Sequence, residues 1–233
     1  MALPLLPIPL LIVAVFLLLR AETRRPRHKP QIKLWKPLST ALVILIAILS
    51  FTQPMHVPLY SALVLIGLVL SLVGDWLLID SDERPRLFVA GLSAFLLAHV
   101  AYIAAFAYAQ IVRRTPFDLN RAALAAAVLA IIGMVLYFYL HPSLGNLRQP
   151  VLLYMTVISL MVHQAFSGVQ LGGSLLAQPA LAMGGALLFY MSDLMLAINK
   201  FVFDGEGEHN TIWVLSTYYC AQLFIALSAS FVR

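Results

Sequence analysis

The chain has 233 residues, 62% of them hydrophobic and only 11% charged, with a formal net charge of +5. A soluble domain of this length carries roughly twice that charged fraction, and the mean hydropathy of +0.92 argues the same way, so a soluble globular protein is excluded. The longest polar stretch, Arg20 to Lys36, is too short for a separate soluble domain, and no basic run is interleaved with aromatics, so nucleic-acid binding has no support.

Runs of about 20 apolar residues recur along most of the chain, the length of a membrane-spanning helix. The expected fold is all-α: a polytopic transmembrane helical bundle forming a single integral membrane domain over residues 1–233. About eight spans are expected, at 3–19, 37–53, 57–79, 87–110, 119–140, 150–170, 178–199 and 211–231. The first segment has no basic region before it and carries its charges after it, so it reads as a span and not a cleaved signal. The second is short and flanked by proline; seven spans result if it is re-entrant. Turns fall where Pro, Gly and charge cluster, as in "TQPMHVP", "DSDERPR" and "FDGEGEHN". The single cysteine, Cys220, lies in an apolar segment and cannot make an internal disulfide.

Eleven of the fifteen Lys and Arg residues sit in the loops after spans one, three, five and seven. The positive-inside rule assigns those loops to the cytoplasm and both termini to the opposite side. On that topology Asp75, in "SLVGDWLLI", and Asp193, in "LFYMSDLMLAI", occupy similar depths in parallel spans, toward the cytoplasmic face. Other polar residues converge on the same half: Lys36 opening span two, His99 and Tyr102 in span four, Tyr154 in span six, Asn199 and Lys200 closing span seven, and Tyr218, Tyr219 and Gln222 in span eight. The halves also echo each other in order, "GDWLLI" with "SDLMLAI", "KPL" with "QPV" and "AYIAAF" with "LFIALS". That echo suggests a 4+4 parallel repeat with the two aspartates facing across a central cavity.

An ionised aspartate in the middle of a span costs at least ~2.5–3.5 kcal/mol on insertion scales, so it is normally held against a partner or a watery cavity, and function is the default reading. The structural alternative is that each aspartate lies near enough to a span end to reach water and cap a neighbour. Gly74 and Ser192, just before the carboxylates, are small residues that let helices approach closely. Two neighbouring buried carboxylates can share one proton and offer an acid beside a base. That is the equipment for cleaving a bond through a cationic intermediate. His99 is either a proton carrier or a satisfied histidine between helices, and His163, beside Gln164, reads as a helix contact. Tyr154, Tyr218 and Tyr219 are either an aromatic belt or hydrogen-bond donors. No His-x-x-x-His, Glu-x-x-His or cysteine cluster occurs, so a dedicated zinc site has weak support; a mixed site of His99, His163 and an aspartate is the alternative. There is no Gly-x-Ser-x-Gly elbow, and "SGVQLGGS" reads as a turn and not a phosphate loop.

The segments "KPL" at 36–38, "GDWLL" at 74–78, "FLLAHVAYIAAF" at 95–106, "GALLFYMSDLMLAINKF" at 185–201 and "STYYCAQLFIALS" at 216–228 together resemble the YhhN-like family, which includes the mammalian lysoplasmalogenases. The resemblance runs in order over nearly the whole chain and is most specific in "SDLMLAINKF" and "TYYCAQ". It implies an intramembrane hydrolase that cleaves the vinyl ether bond of lysoplasmalogens (alkenyl-glycerophosphocholine or -ethanolamine) to a fatty aldehyde and a glycerophospho-alcohol. It implies catalytic roles for Asp75 and Asp193, and substrate contacts for Lys36, His99, Tyr102, Tyr154, Asn199, Lys200, Tyr218, Tyr219 and Gln222; from the absence of ligand motifs, no metal and no cofactor are expected. The implied substrate is a lysophospholipid within the bilayer, and the implied location an integral one, in a bacterial inner membrane or the endoplasmic reticulum.

The chemistry suits the residues. Vinyl ethers resist base and nucleophiles but open under acid, so the site needs an acid, an anion to stabilise an oxocarbenium ion, and a base for water. Which aspartate holds the proton is not decided by sequence. Lys36 and Lys200, at the membrane edge, are candidates for a head-group phosphate. The competing readings are a proton-coupled carrier of small molecules or lipids, built on the same two carboxylates, and a metal-dependent lipid amidase.

Overall fold

Proline and a short polar residue mark where several apolar runs become helices. The computed structural model describes residues 3–24, 28–170, 177–203 and 208–232. After a 3-10 turn at Leu3–Leu5 come eight helices: α1 (Ile8–Glu22), α2 (Lys29–Ser50), α3 (Pro58–Ile79), α4 (Pro85–Val112), α5 (Leu119–Leu140), α6 (Arg148–Ser167), α7 (Ala177–Phe201) and α8 (Glu208–Ser228). The first four carry proline in the first turn, where its fixed φ is already helical and its missing N–H has no partner to lose. Asp118 caps α5 by accepting from the Arg121 backbone N–H at 3.1 Å. Eight helices among the described residues are long and apolar enough to cross a membrane. Large apolar side chains such as Leu10, Phe16, Ile131 and Phe138 point outward, toward what is then lipid. The protein is an integral, multi-pass, all-α membrane protein.

Most expected spans fall close to these helices, but the second does not. Its start was expected at residue 37, whereas α2 begins at Lys29 and contains both Lys36 and Pro37. The segment "KPQIKLWK" is amphipathic: Ile32 is fully buried, while Lys29 and Lys33 reach Asp80, just past α3, at 2.7 and 3.0 Å. That burial and those ion pairs carry the helix through Pro37. At 22 residues α2 is a full span, so the re-entrant alternative falls. Within "SGVQLGGS" residues 171–174 lie outside the described residues, as do 204–207 of "FDGEGEHN".

The helices pair in a repeating order. α1 packs on α2, α2 on α3 and α3 on α4; α5 packs on α6, α6 on α7 and α7 on α8. The halves meet through α2 against α8 and α4 against α6. A 4+4 repeat would produce this order, but α1 also packs on α8, and α5 makes no comparably extensive contact with α4. α5 is peripheral: only Ala122 and Leu140 along it are buried. The closest pairs depend on glycine. A Cβ at Gly67 would stand 2.3 Å from the Tyr102 ring, one at Gly74 2.6 Å from Phe95, and one at Gly185 2.7 Å from Ile225 and 3.0 Å from the Ala221 carbonyl oxygen.

The end of the bundle away from the aspartates is tied shut by polar contacts. Arg113 donates to the Gly168 carbonyl and to Gln178 Oε1 at 3.3 and 3.0 Å. Gln178 donates to the Tyr60 hydroxyl at 3.1 Å, and that hydroxyl shares a hydrogen with Ser228 at 2.7 Å. Five helices are joined in this way, a polar cluster that the concentration of intramembrane polar residues on the cytoplasmic half had not led us to expect.

Gly185→Ala is expected to destabilise the protein by about 1–3 kcal/mol, because backbone and Ile225 must both move. Gly133→Ala, where a Cβ meets nothing within 4 Å, should leave thermal stability in detergent unchanged or slightly raised. Equal losses in the two variants would contradict this packing. A second expectation concerns Asp80, whose carboxyl is held below its usual range by hydrogen bonds from Lys29 and Lys33. Its contribution is present above the unfolded value of about 3.9 and is lost as pH falls through the lower folded one. Asp80→Asn should therefore lower the melting temperature at pH 7, with the difference from wild type vanishing at the acid limit.

Candidate active site

The C-terminal ends of α3 and α7 and the N-terminal ends of α4, α6 and α8 lie together with α2 at one end of the bundle. Asp75 and Asp193 come from parallel helices, and both line one cavity of about 230 Å³. Also around it stand Glu22, Lys36, Asn199, Lys200 and Tyr218, with Phe88 and Phe95 from α4.

Asp75 is the more enclosed carboxylate, its side chain 2% exposed. Oδ2 accepts from Thr40 Oγ1 at 2.6 Å and from the Tyr218 hydroxyl at 2.7 Å, while Lys36 Nζ stands 3.6 Å from Oδ1. Two donors and a cation suit the ionised form. Lys36 is thus not at the membrane edge: it is buried and faces Asp75. The cause is the upstream start of α2, which carries Lys36 two turns into a helix packed on α3. Thr40 was missed for the same reason, since only a helix continuous through Lys36 sets Thr40 one turn on and on the same face.

Asp193 has a different environment. Its side chain is 13% exposed, Oδ2 accepts a hydrogen bond from the Tyr154 hydroxyl, and His99 Nε2 lies 3.8 Å from the same oxygen. No lysine lies within ion-pair distance of Asp193 among the described residues. His99 is fully buried, packed edge-on against Tyr154 and Phe189 at centroid distances of 5.4 and 4.7 Å. Neither of its ring nitrogens has a hydrogen-bond partner among the described residues. A shift of well under 1 Å would close the His99–Asp193 gap to bonding distance.

The remaining expected residues divide into rim and floor. Lys200 is half-exposed at the rim, 3.0 Å from Asp82 Oδ1 and over the Phe88 ring, and Asn199 lines the cavity beside it. Tyr102, Tyr219 and Gln222 do not line it. Tyr102 donates to Gln222 Oε1 at 3.3 Å, and the Tyr219 hydroxyl donates to the Lys36 carbonyl at 3.1 Å, so these three form a buried polar layer behind the carboxylates. Glu22, at the end of α1, is buried and reaches the cavity; a lone carboxylate at the close of a span, next to a basic loop, gave no signal of this. His163 bonds the Ala122 carbonyl at 3.0 Å as a helix contact, and no three His, Cys, Asp or Glu side chains are grouped to hold a metal among the described residues.

A second cavity adjoins the first, lined almost wholly by apolar side chains of α3 to α7. Leu78, Phe88, Phe95, Leu196 and Asp193 belong to the walls of both. Asp193 therefore stands where a polar chamber meets an apolar one. Such a site can hold an amphiphile with its head and tail on opposite sides of a carboxyl group.

Comparison with known proteins agrees with the resemblance in the motifs. The human lysoplasmalogenase TMEM86A is 36% identical over 168 residues, covering 71% of this chain and 64% of that protein. The lysoplasmalogenase of Mycobacterium tuberculosis is 34% identical over 170 residues, covering 72% and 60%. Human lysoplasmalogenase TMEM86B is 32% identical over 170 residues, covering 73% and 64%. The chain thus spans less than two-thirds of the length of these relatives. No solved structure matches it. The profile described as the YhhN family matches residues 31–229, a stretch containing both aspartates and every expected contact residue, and the chain belongs to that family.

Proposed function

We propose that this protein hydrolyses the vinyl ether bond of lysoplasmalogens within the membrane, the activity for which its relatives are named. One observation carries the reading: two carboxylates from distant parts of the chain share one cavity in unlike surroundings, one beside a lysine and one beside an apolar chamber.

That inequality supports a division of labour. Asp75, bonded by Thr40 and Tyr218 and facing Lys36, acts as the anion and base. Asp193 acts as the acid. Both of its described contacts fall on Oδ2, which leaves Oδ1 to carry the proton. Asp193 gives that proton to the chain-side vinyl carbon, and the double-bond electrons form the new C–H bond, leaving an oxocarbenium ion that the Asp75 carboxylate stabilises. Water adds to the ether-side carbon and passes a proton to Asp75. The hemiacetal then collapses: its hydroxyl proton returns to Asp193 and the proton on Asp75 goes to the departing oxygen. One water is consumed, aldehyde and glycerophospho-alcohol leave, and both carboxyl groups end as they began.

Tyr154 and His99 orient Asp193, and Tyr102, Tyr219 and Gln222 support the layer behind Asp75. The head group occupies the polar chamber, with Lys200 for the phosphate and the carboxylates of Glu22 and Asp82 for the cationic amine. The polar chamber lies at one end of the bundle while the other end is closed by Arg113, Gln178 and Tyr60, an arrangement that offers no support to a carrier.

Purified protein in detergent should release fatty aldehyde from a lysoplasmalogen. Asp75→Asn and Asp193→Asn should each lower kcat by about 10²–10⁴-fold while eluting as wild type. No aldehyde from the wild type would remove the reading, and full activity in either variant would remove that aspartate from the chemistry. Lys36→Met should destabilise the fold by about 3–5 kcal/mol, since it leaves a buried carboxylate without its cation, and adding Asp75→Asn should recover most of that loss. A double variant no more stable than Lys36→Met alone would show that the pair is not coupled.

A further inference from the structure

Resting on this reading of the site, we infer that the apolar chamber beside Asp193 is the seat of the first carbons of the substrate's hydrocarbon chain, and that Leu136, Met155 and Ala197 are the residues that read them. The chamber occupies a seam in the protein's own packing. Buried apolar residues fall into two clusters, a large one containing Phe95 and Ile158 and a small separate one built on Leu140, Leu144 and Val151 with Met155, Ala197 and Phe201 packed against it. The chamber takes Phe95, Ile158, Tyr154 and Tyr190 as one wall and Leu140, Val151, Met155, Ala197 and Phe201 as the other, with Leu136 of α5 completing the lining. A cavity too apolar to be filled by ordered water leaves its lining short of partner atoms. An apolar chain restores those contacts on both walls at once.

Continuity with the polar chamber selects which part of the ligand enters. The shared wall holds Asp193, so a chain leaving the polar chamber passes the carboxyl group before it meets any residue of the small cluster. The vinyl ether sits at that wall and the carbons beyond it in the slot. The slot measures about 60 Å³. At 10–15 Å³ per enclosed group it admits about four to six groups of water size, not a whole fatty chain. The rest of the chain leaves past α5, the helix with the fewest buried residues, into lipid. The protein therefore senses shape close to the double bond and is indifferent to chain length, which suits a substrate pool of mixed chains.

The test uses the intact purified protein and a non-hydrolysable 1-O-alkyl lysophosphoethanolamine with a photoreactive diazirine a few carbons from the ether oxygen. Crosslinks should map to 136–140 and 151–158, be displaced by the unlabelled lipid, and disappear when the diazirine is moved to the chain terminus. Met155→Trp and, independently, Leu136→Trp should each cut this labelling, and cut aldehyde release by roughly tenfold or more, while chain-length variants of the substrate are turned over alike by the wild type. Competable labelling of these segments by a protein that releases no aldehyde would keep the slot and remove the hydrolase. Labelling confined to other helices, or unchanged in both well-folded tryptophan variants, would overturn the assignment.

Discussion

Asp75 is a charge-bearing group taken out of water, and much of the protein's architecture follows from what is needed to hold it there. The effective penalty for such a group is several kcal/mol, and it is offset only by a well-placed partner and by hydrogen bonds to the remaining lone pairs. Lys36 from α2, Thr40 one turn later and Tyr218 from α8 supply them. Two helices from opposite ends of the chain, α2 and α8, are thereby tied to one carboxylate of α3. The demand reaches back into local structure: α2 must be helical through Pro37 to present Lys36 and Thr40 on one face, and the ion pairs of Lys29 and Lys33 with Asp80 anchor its start.

Asp193 has no such cation among the described residues, and the contrast between the carboxylates gives the site a direction. Polar groups gather on the Asp75 side and apolar walls on the far side of Asp193. On the proposed reading, an amphiphile oriented by that gradient points in only one sense, with its head toward Lys200 and its chain toward α5 and α6, and its reacting atoms are positioned by the hydrophobic effect acting along the ligand, with few directional contacts required.

The two ends of the bundle serve opposite purposes. Around Arg113, Gln178 and Tyr60, polar side chains bond to one another and to backbone carbonyls, closing the structure. Around the aspartates, polar atoms face a cavity, and several behind it, including both nitrogens of His99 and Gln222 Nε2, have no partner among the described residues. Unpaired polar atoms are not confined to that end, however, since Arg113 Nε and Thr115 Oγ1 at the other also lack a partner among the described residues.

Composition and hydropathy were sufficient for the membrane and the eight helices and marked out two aspartates inside spans, because a span must be apolar throughout and a carboxylate inside one stands out residue by residue. The motif resemblance extended this to the family. Other features were invisible for equally physical reasons. The start of α2 was misplaced because its first turns are stabilised by ion pairs to a residue fifty positions away, whereas hydropathy registers only that they are charged. Glu22 and Thr40 looked like ordinary polar residues, since nothing local distinguishes a hydroxyl that caps its own helix from one that reaches a carboxylate on another. The difference between the two aspartates, and the apolar slot beside one of them, exist only in the packed protein: each is a property of what surrounds a side chain, and those neighbours come from seven helices, α2 to α8, brought together by folding.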